Sequence, residues 1–224
     1  MNLMGTEMLI IFGKGDMSRR LATLAEQIGR LPGSIAFLSD QIGGEEEIDG
    51  IRVIQRSLDS AKEIADNAPW SRPLFINGMG HDQKGYRGVP DVIKKAGLPL
   101  TAYTSLIHPT AKDLMARTAY VSPYGVAIFA NTSLGPGVKV GRHSFANGDW
   151  GTDAYFGAFG TAAPGVIVEG ESKVGKDVYL GAGSKVLKGS IIGRGALVEG
   201  GVTVSGKIWP KDKAVMDPVR VARQ

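Results

Sequence analysis

One stretch of this 224-residue chain, ANGDWGTDAYFG from Ala146 to Gly157, gathers two carboxylates, an indole and a phenol. Asp149 and Asp153 flank Trp150, Tyr155 follows, and His143 stands just before the stretch. A carboxylate buried against an aromatic surface has its pKa raised and can take up a proton near neutral pH. An imidazole does so with no perturbation at all. These residue types therefore point to general-base chemistry, with His143, Asp149 and Asp153 as the candidates. The two other histidines stand apart. His81, in GMGHDQ, falls in a loop after an apolar run, where a polar ligand can be met. His108, in IHPTA, falls at a junction between two differently patterned halves, where its hydrogen bonds would tie them together. Three histidines so dispersed, without acids at ligand spacing, argue against a metal site. The cysteine count of 0 excludes disulfides, thiolate ligands and a cysteine nucleophile, and suits a cytoplasmic protein.

The residues before the junction alternate between two patterns. Met8–Phe12, Ser34–Asp40, IRVIQ and Pro73–Gly80 read as buried strands. Met17, Leu21, Leu24, Ala25 and Ile28 recur at helical spacing, Ser57 is placed to cap the helix LDSAKEIADNA, and Gly97 ends the helix KGYRGVPDVIKKAG. LTAYTSLIHP reads as a closing strand. Alternating strands and helices predict a Rossmann-like parallel sheet whose ligand site lies at the carboxyl ends of the strands. Gly13, Lys14 and Gly15 form a tight turn there, opening a helix whose free N–H groups suit a phosphate. Ser18 stands where a dinucleotide fingerprint would carry its third glycine, which argues against an NAD site. Asp40, at a strand end, is placed to meet a ribose or a base edge.

The second half has a different beat. Val174, Leu180, Val186, Ile192, Val198 and Val204 are spaced by six, with mostly small residues four positions after each, ending in Val202 and Ile208. The phase runs back through Val168, Ala162 and Phe156, while Ile128, Leu134, Val140 and Ala146 step by six in another phase. Neither a helical period nor simple alternation gives that spacing. A parallel β-helix does, each hexad supplying a short strand whose aliphatic points inward and a turn where glycine is favoured. The phase slips once, in the stretch that holds Trp150.

Composition narrows the partners. Hydrophobic content of 43% and charged content of 21% are those of a globular protein, and the chain length allows one large domain or two modest ones. The excess of +4 suits an anionic small molecule. Along the sequence no lysine/arginine stripe with interleaved aromatics appears, so nucleic acid is disfavoured. No apolar run approaches the roughly 18–20 residues of a membrane span, and the N-terminus lacks the pattern of a signal peptide, so no membrane insertion is expected.

With IHPTA at the junction, the hexads, and AAPG at Ala162–Gly165, nearly the full length resembles the sugar O-/N-acyltransferases typified by NeuD and PglD, hexapeptide-repeat proteins with a left-handed β-helix. The N-terminal glycine turn departs from that family's pattern. The resemblance implies an α/β nucleotide-sugar-binding domain over residues 1–107 and a β-helix acyltransferase domain over 108–224. It also implies a homotrimer, an acetyl-CoA donor, and an amino or hydroxyl acceptor on a sugar of bacterial surface-glycan synthesis. Matching FGAFGTAAPG places the family's histidine–acid pair at Thr152 and Asp153, so the histidine is absent, and a second family histidine falls on Thr161. The donor's pantetheine arm would run past Ala163, Gly165, Gly181 and Ala182, and Lys185, Lys207, Lys211 and Arg220 would meet its phosphates. The sugar nucleotide would sit at Gly13, Lys14, Gly15, Asp40 and His81. A non-catalytic trimer that binds a nucleotide-sugar is the alternative.

Overall fold

A computed structural model describes residues 7–41, 44, 46–67, 73–79, 89–113, 115–208 and 215–216. The chain divides into two compact units, Met1–Leu106 and Ile107–Gln224. The first is α/β; the second is a left-handed parallel β-helix.

In the first unit, β1 (Leu9–Phe12) is followed by α1 (Asp16–Gln27), β2 (Ile35–Ser39), β3 (Glu47–Ile48) and β4 (Ile51–Gln55). Then come α2 (Ala61–Asn67), β5 (Leu74–Asn77) and α3 (Val89–Ala96). The sheet order is β3-β4-β2-β1-β5, with β1 paired in parallel to both β2 and β5. All four residues of β1 are buried, which is why its sequence is continuously apolar: both faces of a central parallel strand are covered. α1 turns Leu21, Leu24 and Ala25 inward at helical spacing. Two local expectations fail, and one strand goes unread. Glu47–Ile48 forms a hairpin strand with β4, unread in the sequence because it is only two residues long. Ser57 makes no capping bond; the hydroxyl of Ser60 instead donates to the Ser57 carbonyl oxygen at 2.7 Å. The segment after Gly97 is no full strand: Leu100–Ala102 is a 3₁₀ turn, and only Tyr103 bridges to Phe75 of β5.

The second unit stacks two-residue strands into three parallel sheets. The first face runs from Tyr120–Val121 through Lys139–Val140, Tyr155–Phe156, Lys173–Val174 and Ile191–Ile192 to Lys207–Ile208. The second face includes Ala127–Ile128, Phe145–Ala146, Thr161–Ala162, Tyr179–Leu180 and Leu197–Val198. The third comprises Ser133–Leu134, Asp149–Trp150, Ile167–Val168, Lys185–Val186 and Thr203–Val204. In each strand the second residue points inward, so Leu134, Trp150, Val168, Val186 and Val204 form one buried column. Each fully buried aliphatic contributes about 1.5–3 kcal/mol over an exposed one.

A regular coil takes eighteen residues: Lys173 lies beside Tyr155 on one side and Ile191 on the other. Across the slip the step falls to sixteen, with Lys139 beside Tyr155 and Phe145 beside Thr161. The missing pair comes from one corner. Asn147–Gly148 alone joins the second face to the third, where other coils use four residues. Gly148 has φ +86°, and a Cβ there would collide with the Val166 carbonyl oxygen, so only glycine closes this corner. A second shortening at Ser205–Gly206 makes Ile208 the inward residue of the next strand rather than the small corner residue expected from its spacing.

Candidate functional site

Three ridges join the faces, and the chemistry-bearing residues divide among them. The first ridge, between the first and second faces, carries His143. The second, between the second and third faces, carries Ala163, Gly165, Gly181 and Ala182. The third, between the third and first faces, carries Thr152 and Asp153.

His143 is part of the wall of the prism. It has no exposed surface and adopts φ +54°, and its ring stacks on Phe159 with centroids 5.6 Å apart and planes 4° from parallel. Beneath it, a Cβ on Gly125 would strike the ring at Nδ1, so glycine makes room for the imidazole. Burial lowers its pKa from 6.5 to about 4, and the neighbouring Arg142 guanidinium pushes in the same direction. The ring is neutral at pH 7 and a weak proton acceptor.

The two acids are not buried, which removes the premise that an apolar setting makes either one a base. Trp150 faces inward, 1% exposed, its indole N–H donating to the Asn147 carbonyl oxygen at 3.3 Å and its ring centroid 4.6 Å from that of Phe156. Asp149 points out of the third face and accepts from the Ser133 hydroxyl at 2.6 Å. Asp153 is exposed at φ +59°, its N–H donating to the Pro136 carbonyl oxygen at 2.8 Å. Thr152, beside it, is exposed and accepts the Glu171 N–H at 2.8 Å through its carbonyl. The apparent cluster around Trp150 is thus spread over two faces and a ridge.

The second ridge has open glycine positions. A Cβ on Gly183 or Gly201 would meet nothing within 4 Å, and one on Gly165 would approach only Gly183 backbone at 3.7 Å. Ala163 and Ala182 leave the same edge open to a ligand that lies against backbone. Gly181 differs. It is buried, and a Cβ there would strike the Glu199–Gly200 backbone of the next coil, so it serves stacking rather than ligand approach. Thr161, on the second face, is 3% exposed. Of the basic residues expected around phosphates, Lys185 is on the third face and Lys207 on the first, so these two do not converge within one chain. Lys211, Arg220 and His81 lie outside the described residues. His108 acts locally. Its Nδ1 accepts the Thr110 N–H at 3.2 Å at the start of the helix Pro109–Asp113, while Thr110 Oγ1 accepts from Asn131 N–H at 2.9 Å.

In the α/β unit, Gly13, Lys14 and Gly15 leave the carboxyl end of β1, and Asp40 leaves that of β2. Gly13 N–H donates to the Leu38 carbonyl oxygen at 2.7 Å, which draws the two loops together. β1 is also the strand at which the connectivity changes direction, between β2 and β5, the usual location of a ligand crevice. The Ser18 hydroxyl lies 3.2 Å from the Phe12 carbonyl oxygen and 3.1 Å from that of Gly78, strapping β1 to β5 beneath this crevice. A buried strap is a physical reason for serine where a fingerprint would have glycine. The strap was not legible from motif spacing.

Residues 171–206 match the family described as Bacterial transferase hexapeptide (six repeats). Among curated proteins none matches the sequence. Solved structures match along nearly the whole chain. Perosamine N-acetyltransferase from Caulobacter crescentus, as a histidine variant with CoA and GDP-perosamine, has TM-score 0.73 and 20% identity, covering 90% of this chain and 90% of its own. The acetyltransferase domain of PglB from Neisseria gonorrhoeae, with acetyl coenzyme A, has TM-score 0.75 and 20% identity, covering 91% of this chain and 93% of its own. WeeI from Acinetobacter baumannii has TM-score 0.70 and 19% identity, covering 95% and 98%. At such identities the likeness establishes the fold: the resemblance read from the hexads holds in three dimensions, with sugar acetyltransferases among the structures that share it.

Proposed function

We propose that this protein is a cytoplasmic, homotrimeric acyltransferase that moves an acetyl group from acetyl-CoA to a nucleotide-linked sugar in bacterial surface-glycan synthesis. The second ridge carries this reading. At Ala163, Gly165, Ala182 and Gly183 nothing larger than a methyl group stands on the prism, and Pro164 is the one larger side chain among them, so an extended pantetheine arm can lie against the ridge beside it. The donor supplies an activated thioester. The chain's part is to hold it along that ridge, to bind the nucleotide of the acceptor at Gly13–Gly15 and Asp40, and to present the third ridge to the acceptor group.

There Thr152 replaces an imidazole and cannot take a proton at neutral pH. Asp153 beside it is a carboxylate open to solvent, able to receive the proton that an attacking amine sheds. An amine needs that help less than a hydroxyl, because a fraction is already uncharged at neutral pH; the acceptor is therefore an amino sugar. The observation favouring the alternative, a nucleotide-sugar-binding trimer without catalysis, is the same one: Thr152 lacks a base and His143 is enclosed.

Calorimetry with acetyl-CoA, followed by thiol-release assays with nucleotide-linked amino sugars, separates the two. Ala182→Trp sets an indole on the ridge at an exposed position. The expected result is at least a tenfold rise in KM for the donor, with the melting temperature unchanged. A wild-type protein that binds nucleotide-sugar but not acetyl-CoA establishes the binding role instead.

A further inference from the structure

The outward residues of the first face form a column that the linear sequence hides. Tyr120, Lys139, Tyr155, Lys173, Ile191 and Lys207 stack in register, each from sixteen to nineteen residues from the last. All three lysines are exposed, and Tyr120 and Tyr155 are 56% and 39% exposed. Neighbouring rungs are about 4.8 Å apart, so the ammonium groups recur roughly every 10 Å with an aromatic or aliphatic side chain between. Alongside, the first ridge presents Arg142, Lys176 and Arg194, also exposed. Among the described residues Asp177 is the single acid on this flank, whereas the third ridge carries Asp153, Glu169 and Glu171. The stripe of basic and aromatic residues missing along the chain is therefore present across its coils.

The shape of this patch selects its partner. Six cations in two parallel columns, one on the first face and one along the first ridge, form a grid rather than a line. A single-stranded polymer would follow one groove, and a lone phosphate would need cations converging on a point. A plane of negative charge matches a planar grid. Four to eight clustered Lys/Arg suit anionic headgroups, and exposed tyrosines suit the interface between headgroups and chains. We infer that the first face and first ridge form a docking plane for an anionic lipid surface, on which the protein rests without inserting.

The test uses the full chain in its native assembly, with co-sedimentation on vesicles of phosphatidylcholine alone or mixed with phosphatidylglycerol. Binding is expected only to the anionic vesicles, and it should weaken steeply as salt rises. Lys139→Gln/Lys173→Gln/Lys176→Gln is expected to reduce it roughly 100-fold, while Lys94→Gln/Lys95→Gln in α3 leaves it unchanged. Sedimentation velocity must show the triple variant at wild-type mass. Any of four results overturns the inference: no wild-type binding to anionic vesicles, equal binding by the triple variant, displacement by millimolar inorganic phosphate or by a single-stranded oligonucleotide, or a triple variant of altered mass, which would make the flank a contact between copies. None of these depends on catalysis.

Discussion

Acidification should loosen the prism through His143. In the unfolded chain an imidazole takes up a proton below about pH 6.5, whereas in the folded chain burial and Arg142 delay this to about pH 4. Across that window the unfolded state binds more protons, so stability is full above pH 6.5 and falls as the pH drops toward 4. The group has no exposed surface, so solvent does not screen the effect away. Between pH 7 and pH 5 the two titration curves diverge by about 2 kcal/mol, approaching roughly 3 kcal/mol near pH 4. Asn tolerates the left-handed backbone that His143 adopts and does not titrate in this range, so His143→Asn isolates the contribution. Urea denaturation at pH 7 and pH 5 gives the comparison. The wild type should lose about 2 kcal/mol more than the variant on acidification. Parallel losses in the two proteins would show that the ring is hydrated in solution and would undo the placement of His143 in the wall.

Other consequences can be checked with single variants. Gly148 and Gly183 both have positive φ, but only at Gly148 does a Cβ meet backbone, the Val166 carbonyl. Gly183→Ala should cost about 1 kcal/mol, and Gly148→Ala at least twice that, by chemical denaturation. Trp150→Ala empties the centre of the shortened coil and should destabilise by about 3–5 kcal/mol, seen as a fall of many degrees in melting temperature. Asp153→Asn should lower kcat with an amino-sugar acceptor more than tenfold, and raising the pH should restore part of the rate by deprotonating the amine; unchanged activity would exclude Asp153 as the proton acceptor.

The two halves differ in how much their sequences disclose. Periodic burial is a one-dimensional signal. Val174 to Val204 declare the prism because the inward side chains there are aliphatic and recur every six residues, eighteen to a coil. The slip at Ala146–Gly157 was equally visible, since Ala146 and Trp150 are both inward but four apart. What remained hidden depends on which residues become neighbours between coils. The spacing of Asp149, Trp150, Asp153 and Tyr155 implied a cluster, yet alternation along a strand and the intervening ridge send them in different directions. The basic column on the first face was invisible for the converse reason: its members are far apart in sequence and adjacent in space.

That contrast bears on what the slip is for. Removing two residues from a corner shortens the coil's perimeter and would pull three faces out of alignment unless something held them apart. Trp150 stands at that level, between Leu134 and Val168 in its column and in contact with Phe156 from the next face. The largest fully buried side chain among the described residues sits at one of the two shortened corners, and its indole N–H closes on Asn147, inside that two-residue corner itself. The aromatic crowding is thus the structural counterpart of the deletion. The same coil, carried two residues forward, turns Thr152 and Asp153 outward on the adjoining ridge, so the residues inside the slip serve packing and those beyond it face solvent.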